Sequence, residues 1–158
     1  RTSLLKVVED AIPLAERKFP RGGARIDVSV PDGLPAIQGD HHQLCQVVTN
    51  LLINALEALG GQGTIRVIAQ LKPPTLDDQP PEVELVIADD GPGIPGDITD
   101  RVFNPFFTTK PQGSGLGLAI VRKIVDAHDG RIDVTTSAGR GTAFTVTLPV
   151  GVPGQLGF

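Results

Sequence analysis

Methionine, tryptophan and tyrosine are absent from these 158 residues, and the aromatic complement is six phenylalanines. The one cysteine, Cys45, excludes an internal disulfide and a cysteine-based metal site, and it suits a reducing compartment. It lies within an apolar-periodic stretch and so reads as a buried structural thiol rather than a nucleophile. No hydrophobic run approaches the ~18 to 20 residues of a membrane span, and no cationic, apolar leader opens the chain. Neither sign of charge is in great excess: 14 Lys and Arg stand against 18 Asp and Glu, a net charge of −4. The basic residues are scattered, which leaves no electrostatic footprint for nucleic acid. What remains is a chain 40% hydrophobic, the composition of a soluble globular domain long enough to bury a core. Because it opens with Arg1 and lacks Met, it is expected to be a piece of a longer protein.

The periodicities along the chain alternate between helix and strand. Leu4, Leu5, Val7, Val8, Ala11, Ile12, Leu14 and Ala15 recur at helical spacing, with Pro13 expected to bend or interrupt that helix. Ala24 to Val30 alternates as a strand does and ends at the turn residues Pro31-Asp32-Gly33. Asp40 is a good N-cap for a helix running to about Leu59, stopped by Gly60 and Gly61. Thr64 to Leu71 and Val83 to Ala88 are the next strands, joined by the proline-rich KPPTLDDQPP as a surface hairpin loop. A further helix starts around Gly115 and ends before Gly130. Two closing strands, Arg131 to Thr136 and Thr142 to Leu148, flank a turn at Ala138 to Gly141. This order predicts an α+β domain over residues 1–149, a mixed sheet with helices on one face, and a tail over residues 150–158.

Four segments carry chemistry. The helix after Asp40 sets an apolar face against a polar stripe of Gln43, Gln46, Asn50, Asn54 and Glu57. Surface stripes usually favour Glu, Lys and Arg, and two asparagines one turn apart offer amide oxygens suited to a hard cation. The strand ending at Ala88 delivers Asp89 into DDGPGIP, where Gly91 and Gly93 allow a sharp turn and close approach to a ligand. A carboxylate there can accept from an exocyclic amine such as that of adenine; an ordinary Asp-Gly turn is the alternative. Ile94 to Gln112 has little regular pattern, as binding loops and lids do, and holds Phe103, Phe106 and Phe107 within FNPFFTTK. Thr108, Thr109 and Lys110 are candidates there to meet a phosphate, with Lys110 as a point charge. Finally GSGLGL, Gly113 to Leu118, opens a helix, so its backbone N–H groups and the helix dipole favour an anion. A loop rather than a strand precedes these glycines, which excludes a dinucleotide-binding βαβ site, and no Gly-Lys-Ser/Thr follows to make a P-loop.

In this order the asparagine helix, DDGPGIP, NPFFTTK and GSGLGL closely resemble the N box, first glycine box, F box and second glycine box of bacterial sensor histidine kinases. They match the catalytic and ATP-binding domain of the Bergerat, or GHKL, type. The resemblance spans about Ser3 to Pro149 and includes the closing GRGTAFTVTLP; the PFFTTK form is similar to kinases of the nitrogen-regulation type. It implies a two-layer α/β sandwich, with ATP and Mg²⁺ as cofactors. Asn54 would be the principal metal ligand, and Asn50 would help hold the metal or phosphates. Asp89 would bind the adenine amino group, with Gly91, Gly93 and Ile94 beside the base. Phe106, Thr108, Thr109 and Lys110 would belong to the lid, and Lys110, with Asn50 and Asn54, to the catalytic set. Gly113, Ser114, Gly115, Leu116, Gly117 and Leu118 would hinge the lid and meet the phosphates, and Thr142 would complete the pocket wall. Glu57 stands where many sensor kinases carry a basic residue, and Lys110 is its candidate substitute.

The resemblance also separates branches of the superfamily. Hydrolysing relatives carry a glutamate four residues before the metal asparagine; here Asn50, an amide, cannot act as a base at neutral pH. The γ-phosphate is thus expected to be kept for a histidine on a separate dimerising helical domain and then for the receiver domain of a response regulator. His41, His42 and His128 lack the pattern of an acceptor, so the chain should bind ATP without phosphorylating itself. No nucleic-acid partner is implied. The domain is expected to be cytoplasmic, within a parent protein that can be membrane-anchored. The alternatives are a degenerate module that senses nucleotide without catalysis, or a hydrolysing ATPase.

Overall fold

Two helices of this chain start at a residue whose side chain replaces a missing backbone partner. The computed structural model describes residues 2–73, 80–91, 117–137 and 141–150. In it Ser3, in extended backbone, accepts the Lys6 N–H at 3.4 Å and opens α1, Leu4–Lys18. Leu4, Val7, Val8, Ala11 and Ala15 form its buried face. The helix is not interrupted at Pro13 but runs through it to Lys18. Pro13 and Glu9, whose carbonyl loses its usual N–H partner, both lie on the solvent side, where water can replace the lost bond.

After α1 comes β1, Arg25–Ser29, and then α2, His41–Leu59. Asp40 caps α2 by accepting the Gln43 N–H at 3.1 Å, and Gly60 ends it in the left-handed region at φ 60°, ψ 31°. The strands β2, Thr64–Lys72, and β3, Glu82–Asp89, form an antiparallel pair from Ile65 opposite Asp89 to Lys72 opposite Glu82. The rest of the proline-rich connection, residues 74–79, lies outside the described residues. Next are α3, Gly117–Ala127, β4, Arg131–Ser137, and β5, Gly141–Pro149. Residues 138–140 of the intervening turn also lie outside the described residues.

The five strands make one mixed sheet in the order β1-β2-β3-β5-β4, with β1 parallel to β2 and the other neighbours antiparallel. Because side chains alternate across a strand, Ile65, Val67 and Ala69, Val83, Leu85 and Ile87, and Phe144, Val146 and Leu148 share one buried face. That face meets α2 and α3, and α1 packs on α2. Leu51 and Leu52 of α2 are fully buried, each worth about 1.5–3 kcal/mol of hydrophobic stabilisation. The fold is α+β with a mixed five-stranded sheet. No helix among the described residues is long and apolar enough to cross a membrane.

Both ends of the described chain are tied to one residue between β1 and α2. Thr2 exchanges two backbone hydrogen bonds of 2.8 Å with Ile37, and Ile37 also bridges Val150. Thr2, Ile37 and Val150 are buried. Val150, which opens the tail in the sequence-based division, is therefore paired; residues 151–158 lie outside the described residues.

Candidate functional site

The polar stripe of α2 changes character along its length. Gln43 and Gln46 are exposed, whereas Asn50, Asn54 and Glu57 are half-buried. Residues four apart share a helix face, so Asn50, Asn54 and Ala58 form one row. At one end of the row, Asn50 Nδ2 donates to the Gly117 carbonyl at 3.4 Å, joining α2 to the first residue of α3 across 67 positions. At the other end Ala58 packs under Gly91: a Cβ placed on Gly91 would lie 3.1 Å from the Ala58 carbonyl oxygen and 3.3 Å from its Cβ. The row therefore spans from the last glycine of GSGLGL to the first glycine of DDGPGIP, with Asn54 midway.

The end of β3 supplies the opposite wall. Asp89 pairs with Ile65 of β2 and with Thr142 of β5. Paired residues point to the same face, and Ile65 is wholly buried on the helix side, so Asp89 projects toward the helices. Its Oδ1 accepts the Gly91 N–H at 2.9 Å, which fixes the carboxylate against the turn that follows. Thr142 is buried beside it, with its hydroxyl 3.3 Å from that of Thr136. A carboxylate at the strand end and two amides on a helix thus stand on elements that pack on each other. Both groups are oxygen- and nitrogen-bearing side chains over an apolar floor.

The structure brings Asn50 and Gly117 into contact, sets Asp89 beside Gly91 and Thr142, and places Asn54 between the two groups. Leu118 is half-buried and packs on the core. Gly93, Ile94, Phe106, Thr108, Thr109, Lys110, Gly113, Ser114, Gly115 and Leu116 lie outside the described residues.

Three residues that shape this region make contacts that no motif specifies. Asp90, next to Asp89, accepts the Thr64 N–H at 2.9 Å. Gly141, legible as a turn glycine, stands at φ +96° directly against Asp89; a Cβ there would collide with the Asp89 carbonyl and lie 2.9 Å from Asp90 Cα. His128 ties α3 to the start of α2: its Nε2 accepts the Asp40 N–H at 3.1 Å while Nδ1 contacts the Ile124 carbonyl at 2.8 Å. A carbonyl on one nitrogen and an N–H on the other assign the neutral, Nδ1-protonated tautomer. Only the density of glycines at 60, 61 and 63 and the Asp-Asp doublet hinted at such tethers.

Residues 39–152 match the family described as histidine kinase-, DNA gyrase B- and HSP90-like ATPase. The chain belongs to this family. Its match to this histidine kinase-type ATPase family covers every element from α2 to β5, Asn50, Asn54 and Asp89 included. The sensor histidine kinase ZraS of Escherichia coli K12 is 43% identical over 77% of this chain and 24% of its own length. The sensory histidine kinase/phosphatase NtrB of Rhodobacter capsulatus is 46% identical over 74% of this chain and 34% of its own. Full-length ShkA, solved in complex with AMPPNP, superposes with a TM-score of 0.73 at 31% identity, over 91% of this chain and 29% of that one. The chain spans about a quarter to a third of the length of the curated relatives it matches.

Proposed function

We propose that this domain binds Mg·ATP in the cleft between α2 and the end of β3 and supplies the γ-phosphate to a histidine on a separate helical domain. The observation that carries the reading is the anchoring of the Asn50–Asn54–Ala58 row between Gly117 and Gly91. That row joins the segment suited to phosphates to the turn suited to a base. Asp89 would accept from the adenine amine, and the backbone at Gly117 and the preceding glycines would face the phosphates. The family name and the AMPPNP held by ShkA support a nucleotide with three phosphates.

The donor set of α2 fits Mg²⁺, since Asn50 and Asn54 offer hard amide oxygens and the ion favours oxygen ligands shared with phosphates. No cluster of three His, Cys, Asp or Glu side chains gathers among the described residues. This suits an ion that arrives with its nucleotide, held on the protein side by Asn54. Bound there, Mg²⁺ would neutralise charge on the phosphates. The chain's own part is positioning: Asp89 would set the base and α2 the metal end. Asn50 donates to Gly117 and, being an amide, cannot activate water, so the phosphate would be reserved for an acceptor outside this chain. The acceptor would be a dimerising histidine-bearing helical domain of the same kinase. A response regulator would receive the phosphate next.

Calorimetric titration of ATP into the domain, with and without Mg²⁺, tests this directly. Binding is expected to need Asp89, so Asp89→Asn should lose it, while Asn54→Ala should lose the Mg²⁺-dependent part and, with the helical domain added, phosphotransfer. Equal affinity in wild type and Asp89→Asn would remove the adenine assignment. Full transfer by Asn54→Ala would remove the metal assignment.

A further inference from the structure

The doublet Asp89-Asp90 presents two identical carboxylates to the cleft's edge, and the fold gives them different partners. Successive side chains leave a strand on opposite sides. Asp89 takes the helix side and caps its own turn through the Gly91 N–H. Asp90 reaches back across the sheet and accepts the Thr64 N–H at 2.9 Å, the first residue of β2 and 26 positions earlier. Thr64 follows Gly63, which stands at φ +124° and leaves room for the Asp90 carboxylate; a Cβ on Gly63 would collide with Asp90 Oδ1 and lie 2.7 Å from Leu59 Cδ2. The Gly63 carbonyl in turn accepts the Arg25 N–H at 2.8 Å, and Gly61 accepts from Gly23 at the same length. The loop that ends α2 is therefore held on its far side by β1. From the opposite strand, Gly141 abuts Asp89 and Asp90 with no space for a side chain.

We infer that Asp90 is a positioning residue for nucleotide binding: by accepting the Thr64 N–H it locks the turn after β3 to the loop that ends α2, and so holds Asp89 at a set distance from Asn54. The inference rests on the nucleotide reading above. The tether joins the two walls of the cleft at its base-binding end, as the Asn50 bond to Gly117 joins α2 to α3 at its other end. Asp90 needs only an acceptor oxygen for this role, not a negative charge. Asp89 differs, because replacing its carboxylate by an amide would place a donor toward the adenine amine.

The two aspartates therefore respond oppositely to the same substitution. Asp90→Asn keeps an oxygen for Thr64 and should bind ATP within about twofold of wild type. Asp90→Ala removes the acceptor and should weaken ATP about tenfold, the scale of one charge-assisted hydrogen bond. Amide hydrogen exchange without nucleotide reads the tether separately. The Thr64 N–H should exchange faster in Asp90→Ala and be protected in Asp90→Asn. Wild-type affinity in Asp90→Ala, or equal weakening in both variants, would overturn the positioning role. A Thr64 amide equally protected in all three proteins would overturn the tether itself. If the wild type bound no adenine nucleotide, the nucleotide reading and the positioning role would fall together, and the Thr64 exchange would still decide the tether.

Discussion

Replacing Gly141 by alanine combines a left-handed φ with a collision against backbone, and three positions separate the two parts of that cost. At Gly33 the backbone is outside the left-handed region and a Cβ would meet nothing within 4 Å. Alanine there should be neutral or stabilise by about 0.4–1 kcal/mol, by narrowing the unfolded ensemble. At Gly60, φ is +60° and again nothing lies within 4 Å, so alanine carries conformational strain alone, about 1 kcal/mol. At Gly141, φ is +96° and the new Cβ would collide with the Asp89 carbonyl, 2.8 Å from its carbon and 2.9 Å from Asp90 Cα. Backbone cannot rotate away as a side chain can, so β3 and β5 must part where Asp89 pairs with Thr142. Strain of about 1–2 kcal/mol joined to one or two ladder hydrogen bonds of about 1 kcal/mol each gives a loss near 3 kcal/mol. In a domain of this size that lowers the melting temperature by roughly 6–12 °C, against about 2–4 °C for Gly60→Ala. Thermal unfolding of the three variants in one buffer measures the series. Gly141→Ala should also lose ATP binding, because the strand end carrying Asp89 is displaced, while Gly60→Ala should keep it. Gly141→Ala melting together with Gly60→Ala and binding nucleotide like wild type would refute the close approach.

Acid should weaken the joins at the start of α2. The hydrogen bond from His41 holds the Asp10 carboxyl below its usual range, and the Gln43 N–H does the same for Asp40. Both folded values lie below the unfolded ones, so the stability these groups contribute is complete above about pH 4 and is lost as pH falls through the folded values. Melting curves between pH 6 and pH 2 should drop, and Asp40→Asn should flatten the acid limb; an unchanged limb would contradict the capping role. Cys45 is buried and its thiol is pushed up by that burial. Iodoacetamide at pH 8 should therefore leave it unmodified in the native domain and alkylate it in denaturant, and rapid native labelling would show the site to be open. Leu51 has no exposed surface, and Leu51→Ala should cost about 2–5 kcal/mol by chemical denaturation; a loss under about 1 kcal/mol would mean that the α2–sheet core is looser than described.

Much of the architecture was written locally. The limits of α2 follow from Asp40 at one end and Gly60 at the other, since capping needs only residues within one turn. The strands β2, β3, β4 and β5 followed from alternation and turn residues, each structural strand running a residue or so past its predicted bound. Motif order singled out Asn50, Asn54, Asp89 and Gly117 as candidates, because the residue types themselves state the chemistry of amide oxygens, a carboxylate and exposed N–H groups. Of the two expectations at Pro13, the interruption does not occur, because a sequence window shows the missing N–H but not that the orphaned carbonyl lies on the solvent side.

Composition, periodicity and capping thus determined the elements and named the candidate side chains, since each signal acts over a few residues. Only the tertiary structure decided which of those residues meet. The placing of β5 between β3 and β4, and of β1 alongside β2 in parallel, depends on pairing between segments far apart in the chain. So do the Asn50 bond to Gly117, the Thr64 bond to Asp90, the press of Gly141 on Asp89, and the joining of Thr2 and Val150 through Ile37. A local pattern cannot specify such contacts, because closing loops of this length is favoured by the burial of the whole core rather than by any one pair. That is why the doublet at Asp89 and Asp90 reads as two equal carboxylates in the sequence and as two differently partnered ones in the fold.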